Sequence, residues 1–130
     1  MRLIQDKYAH DPWKILVVGI LLNRTRGSFA EPVIDEFFRR YSGPLALLTA
    51  KEDEVIETIR SLGFFRKKTE HLRRMSIGWL KFTPVDKLTG VGRYGHDSYR
   101  IFVDKDLTVK PLDKKLRQYL KEKNERMEDA

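Results

Sequence analysis

The sequence predicts an all-α fold, and three observations carry that prediction. Apolar residues recur at helical spacing: Phe29, Val33, Phe37 and Tyr41 fall every four residues with Ile34 and Phe38 beside them, and Leu72, Met75 and Trp79 share a later face. Proline and glycine punctuate these stretches as helix starts and stops, at Asp11-Pro12, Ser42-Gly43-Pro44 and Gly63. No alternating or continuous β-branched run leads into the glycine-rich turn at residues 88–95. About seven to nine short helices in two layers, with a cleft between them, fit this pattern.

In chain order, residues 1 to about 9 form a short helix carrying Leu3 and Ile4. Asp11 caps and Pro12 opens the next, in which Ile15, Leu16, Val17, Val18, Ile20, Leu21 and Leu22 are apolar nearly all round, as in a buried central helix. Asn23-Arg24-Thr25-Arg26-Gly27 breaks it with a basic turn, and Ser28 with Glu31 fits a capping box for the amphipathic helix that follows. Leu45, Leu47 and Leu48 suggest a short helix, and Lys51 to Ile59 another, closed by Gly63. Phe64 and Phe65 are adjacent, so at least one ring is expected at the surface. A helix spans Arg66 to Leu80, Leu107-Thr108-Val109 reads as a short extended stretch, and a last helix turns Leu112, Leu116, Tyr119 and Leu120 inward before a frayed tail from Lys123.

Leu88-Thr89-Gly90-Val91-Gly92-Arg93-Tyr94-Gly95 is the stretch with the strongest functional pattern. Two glycines around one apolar residue suit a very tight turn between short helices, a helix-hairpin-helix over about residues 86–102. Amides left free at the second helix start can grip a phosphate. A plain glycine-capped helix turn fits the same residues. A dinucleotide fingerprint and a Walker loop do not, for want of a feeding strand and of a lysine-serine/threonine ending.

The 130 residues suit one domain, and no apolar run reaches the roughly 18 residues of a spanning helix. The absence of cysteine excludes disulfides, thiolate catalysis and cysteine-ligated zinc or iron–sulfur clusters. His10, His71 and His96 are too scattered for a metal motif. The net charge of +7 permits a polyanionic partner. Its placement says more: Arg66, Lys67, Lys68, Arg73 and Arg74 gather on one helix, and Arg24, Arg26, Arg93 and Arg100 lie near turns. Asp113 stands at a helix start, which holds a carboxylate ionised and fixed. It can equally be a simple cap. Gln5 and Tyr94 carry polar tips that could hold a ligand, or be a surface amide and a packed ring. Spacing alone does not bring these residues or Lys115 together.

The motifs Leu3-Ile4-Gln5-Asp6, His10-Asp11-Pro12-Trp13-Lys14, Leu22-Asn23-Arg24-Thr25, Leu62-Gly63-Phe64, Gly90 through Phe102, and Pro111-Leu112-Asp113-Lys114-Lys115-Leu116 occur in that order over nearly the whole chain. Together they resemble the glycosylase domains of the methyl-CpG-binding domain protein 4 family, within the helix-hairpin-helix DNA glycosylase superfamily. The resemblance implies one catalytic domain over 1–130, with two small helical lobes flanking an active-site cleft. It implies a base excision repair hydrolase that flips thymine or uracil out of G·T and G·U mismatches and cleaves the N-glycosidic bond.

By position, Asp113 matches the catalytic aspartate and Tyr94 the pocket tyrosine, where lyase-type members carry a nucleophilic lysine; no AP lyase activity is expected. Gln5 and Lys115 match residues of the base pocket. Arg24 matches the arginine inserted into the duplex, Leu62 and Phe64 the turn against the opposite strand, and Gly90, Val91 and Gly92 the phosphate-binding hairpin. No catalytic metal and no iron–sulfur cluster are implied; a structural monovalent cation at the hairpin is compatible with the resemblance. The partner is mismatched double-stranded DNA, met by a monomer, with no membrane.

Three departures stand out. His96 replaces a usual asparagine, Phe64 a leucine, and the segment from Trp79 to Leu88 is slightly short for the family. No methyl-CpG-binding domain lies within the chain. Compactness and the Met1 start favour a whole microbial protein, in the cytoplasm with the nucleoid; a trimmed eukaryotic domain belongs in the nucleus. The rival readings are a related glycosylase acting on another damaged base, and a DNA-binding module without catalysis.

Overall fold

Asp11 and Pro12 set the start of helix α2 (Pro12–Leu22), around which the computed structural model, describing residues 1–129, is organised. The Asp11 carboxylate accepts the Lys14 amide at 3.3 Å, and the proline needs no amide partner at that position. Ile15, Leu16, Val17, Val18 and Leu21 are buried, each contributing roughly 1.5–3 kcal/mol on removal from water. A helix that is apolar all round needs neighbours on every side. Among the described residues those neighbours are α1 (Ile4–Tyr8), α3 (Gly27–Arg40), α6 (Phe65–Leu80) and α7 (Arg93–Phe102).

On one side, α3 packs on α5 (Glu52–Ile59), and α4 (Pro44–Thr49) and α5 pack on α6. The Trp13 indole donates to Ser76 Oγ at 2.9 Å and ties α2 to this group. On the other side lie α1, α7 and α8 (Lys114–Asp129). Phe102 and Tyr119 stack at 4.9 Å, the Tyr119 hydroxyl donates to Asp6 at 2.8 Å, and the Met1 amino group pairs with Glu122 at 2.6 Å. The α2–α7 contact is backbone against backbone: a Cβ at Gly19 would stand 3.1 Å from Gly95 Cα. That close approach fixes the height of α7, and with it Tyr94, over the central helix. Two 3-10 turns, Arg60–Leu62 and Val85–Lys87, complete the helical elements, and no strand is present among the described residues.

The all-α fold with two lobes is therefore the one expected, with local differences. Helix α3 begins at Gly27, and the Ser28–Glu31 capping box does not form, because Glu31 is drawn into ion pairs with Arg2 and Lys7. Phe29 is exposed, and Ala30 takes its place in the buried stripe with Ile34, Phe37, Phe38 and Tyr41. Leu107 and Thr108 turn instead of extending, since Asp106 accepts the Thr108 amide and hydroxyl at 2.9 and 2.6 Å. Leu112 is exposed and Pro111 buried. The tail from Lys123 continues α8 to Asp129, as its run of good helix formers allows; Ala130 lies outside the described residues. The first helix of the hairpin is a single 3-10 turn, squeezed between Pro84 and the glycines.

Candidate active site

A cleft of about 1030 Å³ runs between the two helical groups, and Gln5, Arg24, Gly90, Val91, Gly92, Tyr94, Asp113 and Lys115 all line it. Helix packing thus joins residues that sequence spacing alone left apart. Phe64 lines a smaller adjoining recess of about 250 Å³ together with Arg24 and Gly90. Leu62 is placed differently from the expectation. Its side chain is buried in the core at 5% exposure, whereas that of Phe64, expected in the same role, is 57% exposed.

Gln5 stands on α1, buried at 1% exposure, and its Nε2 donates to the Tyr94 hydroxyl at 2.6 Å and to Ser98 Oγ at 3.3 Å. Both amide hydrogens are thereby used, and the carbonyl oxygen remains as the acceptor for a ligand. Ser98 was not among the residues singled out from sequence. Its signal was its position four residues after Tyr94 on one helix face, which spacing gives only once Tyr94 is known to point inward. Burial pushes the Tyr94 phenol up, the Asp113 carboxylate adds to this, and the bonds with Gln5 and Ser98 oppose it. The phenol is therefore neutral at physiological pH, a hydrogen-bonding wall and not a nucleophile.

Asp113 precedes α8, where its Oδ2 accepts the Leu116 amide at 2.9 Å and its backbone carbonyl accepts the Arg117 amide at 3.0 Å. The helix start holds the carboxylate in place. The segment leading to it is tied on both flanks. Arg93 at the start of α7 donates to the Lys110 carbonyl at 2.9 Å and pairs with Asp97 at 3.5 Å, while Arg117 donates to the Leu112 carbonyl at 2.8 Å. On the other side of the pocket, Asp6 accepts the Leu3 amide at 2.8 Å as well as the Tyr119 hydroxyl. The helix carrying Gln5 is thus joined to the helix that Asp113 begins. Lys115 is exposed, with its ammonium beside Gly27.

Gly90 has φ +82°, and a Cβ there would meet the His71 side chain at 2.7 Å, so glycine is required both by conformation and by space. The Val91 amide bonds back to Leu88 at 3.3 Å. Gly92 caps α7, whose first helical bond runs from the His96 amide to the Gly92 carbonyl at 2.9 Å. The amides of Arg93, Tyr94 and Gly95 precede that bond and form a donor cluster of the kind that holds anions. No group of three or more His, Cys, Asp or Glu is placed to hold a metal among the described residues. A cation at the hairpin would depend on backbone carbonyls, of which Leu88's already accepts the Val91 amide.

Across the cleft, Arg24 and Phe64 both adopt left-handed backbone, with φ of +56° and +48°. The Arg24 guanidinium lies 5.4 Å from the centre of the Phe64 ring.

Comparison with known proteins bears on the family and the fold. Residues 17–130 match the family model described as HhH-GPD superfamily base excision DNA repair protein. The chain is 37% identical over 120 residues to a methyl-CpG-binding domain protein 4-like protein of Arabidopsis thaliana, covering 90% of this chain and 27% of that one. It is 48% identical over 62 residues to a thymine-DNA glycosylase of Aeropyrum pernix, covering 48% of this chain and 28% of that one. The solved structure of a thermostable thymine-DNA glycosylase superposes with a TM-score of 0.70 at 21% identity, covering 82% of this chain and 52% of that one. The chain spans little more than a quarter of the length of these two curated relatives. With the hairpin, the cleft and the family model in agreement over most of its length, the chain belongs to the HhH-GPD superfamily of base excision DNA repair proteins.

Proposed function

We propose that this protein is a monofunctional DNA glycosylase that excises thymine or uracil from G·T and G·U mismatches. The observation that carries the reading is the meeting of Asp113, at the start of α8, with the Gln5–Tyr94 pair in one cleft beside a phosphate-type hairpin. The names of the relatives support it, as thymine-DNA glycosylases.

Extruding a nucleotide costs a few kcal/mol and is easiest at a mismatch. Arg24 and Phe64 act as the wedge that fills the vacated space, and the hairpin amides hold a backbone phosphate. In the pocket the Gln5 carbonyl accepts the pyrimidine N3–H, with the amide and the Tyr94 ring closing the site. As the base leaves, the deoxyribose gains oxocarbenium character. The fixed Asp113 carboxylate stabilises that charge more than the neutral sugar and orients the attacking water. Such a group contributes typically about 10²–10⁴ in rate. The product is an abasic site, because the Tyr94 position supplies no amine to form a Schiff base.

Single-turnover base release from duplexes carrying one G·T, G·U, A·U or G·C pair, resolved with and without alkali, tests the reading. Cleavage of the G·T and G·U strands only after alkali is the expected result. Strand cleavage without alkali overturns the monofunctional assignment. Binding without release from any pair moves the assignment to another lesion or to a non-catalytic role.

A further inference from the structure

Lys68 was expected in the basic patch of α6, yet it is 3% exposed. Its ammonium donates to the Leu21 carbonyl at 3.0 Å, the Thr25 hydroxyl at 2.7 Å and the Leu62 carbonyl at 3.2 Å. Three donors meet three acceptors, which is the full capacity of an ammonium. The Thr25 hydroxyl in turn donates to the Leu62 carbonyl at 2.9 Å. Leu21 belongs to the last turn of α2, Thr25 to the turn that carries Arg24, and Leu62 ends the 3-10 turn before Phe64. Carbonyls at such ends lack helical partners and carry partial negative charge, so a cation is a fitting cap for both.

Burying an ammonium among neutral oxygens carries a desolvation cost that its three hydrogen bonds must offset, a cost a methyl group would not bring. What this one does is join two turns nearly forty residues apart in sequence. Arg24 and Phe64, the exposed left-handed residues on those turns, stack on each other just beyond the junction.

We propose that Lys68 is the positioning residue that binds the Arg24 turn and the Phe64 turn into a single wedge for nucleotide extrusion. The inference rests on the glycosylase reading above. Lys68 touches neither the reacting sugar nor the base pocket. It acts through the turns, and its loss leaves two independent tips in place of one rigid wedge.

The test places 2-aminopurine next to the uracil of a G·U duplex, so that its fluorescence rises when the neighbour leaves the stack. Asp113→Asn serves as the parent, with base release suppressed, and is compared with Asp113→Asn/Lys68→Met. The proposal expects binding within about threefold of the parent, since phosphate contacts are kept, with the fluorescence rise lost. An equal rise in both proteins overturns it. No rise in the parent overturns the extrusion reading of the preceding section, and this inference with it. Met is close to Lys in volume, and a thermal melt checks the fold. If Lys68→Met does not fold, Thr25→Val removes the shared hydroxyl instead and is judged by the same two outcomes.

Discussion

Gln5, Tyr94 and Ser98 stand on helices and are joined by hydrogen bonds between α1 and α7, and Asp113 stands at a helix start, held by an amide of α8. Arg24 and Phe64, on the facing wall, stand on turns with positive φ and are exposed. The first wall has regular backbone and tight packing; the second holds L-residues in a conformation that costs roughly 1–2 kcal/mol each. On the proposed function, the difference follows the work each wall would do. A reacting sugar must meet a carboxylate in a fixed position, where a small misplacement costs rate heavily. A wedge must reach outward from the surface, which strained turns permit when a buried tie such as Lys68 holds their base.

The largest break in this comparison is Asp113→Asn. Single-turnover excision should fall by about 10²–10⁴, while DNA affinity stays near that of the native protein. Excision at the native rate would remove the carboxylate from the mechanism. Gln5→Leu strikes the same wall one step away. Losing a hydrogen bond to the base and leaving Tyr94 and Ser98 without their donor should cost about 1–3 kcal/mol, or roughly five- to 150-fold in excision. Equal rates for Gln5→Leu and native protein would leave the amide without a role in base recognition.

Gly19→Val tests the helical wall through its packing. The new side chain cannot clear Gly95 Cα, so α7 must move, and destabilisation of about 1–3 kcal/mol should appear in a denaturant melt. An unchanged midpoint would mean that the α2–α7 spacing is not fixed by this contact.

Lys68 sharpens the comparison through pH. Burial pushes its ammonium down to about 8 from an ordinary 10.5. The unfolded chain holds this proton up to about 10.5 while the folded chain gives it up near 8, so the unfolded state binds more protons between those values. Stability of the native protein should therefore rise relative to Lys68→Met as pH climbs from 8 towards 10.5. Base extrusion should weaken over the same range, because a neutral amine offers two donors to three acceptors. Arg24, Lys67 and His71 line the recess beside it, and the paired comparison with Lys68→Met cancels their contribution. Parallel pH profiles of melting for the two proteins would refute the assignment.

The smallest effect is expected from Phe64→Leu, which removes the partner of the Arg24 guanidinium. An exposed cation–π contact contributes about 0.5–1 kcal/mol, so excision from G·U should drop two- to fivefold. A loss as large as that of Asp113→Asn would place Phe64 among the pocket residues and dissolve the distinction between the walls.

Much of the helical wall was legible in the sequence. Asp11-Pro12, the apolar run to Leu22 and the Gly90-Val91-Gly92 turn each state their local structure through capping, periodicity and glycine. The meeting of Gln5 with Tyr94 and Asp113 was not legible from spacing and needed the family resemblance. The wedge wall was harder to read. Lys68 has the same sequence signature as Lys67 beside it, and only the arrangement of Leu21, Thr25 and Leu62 turns it inward. Leu62 was read as a contact residue from the resemblance, and nothing in its apolar character told that the side chain lies in the core. Phe29 and Leu112 show the same limit: an apolar residue at helical spacing can still fall on the outer face when a smaller residue or a proline fills the inner one.

The clasp between α1 and α8, through Asp6 with Tyr119 and Met1 with Glu122, also bears on how the protein is made. Gln5 is made well before Asp113, so the cleft that both line is complete only once α8 has joined α1. A nascent or clipped chain that stops short of α8 carries the hairpin and both wedge turns without the carboxylate. On the proposed function, such a fragment could hold DNA but not cut a base from it.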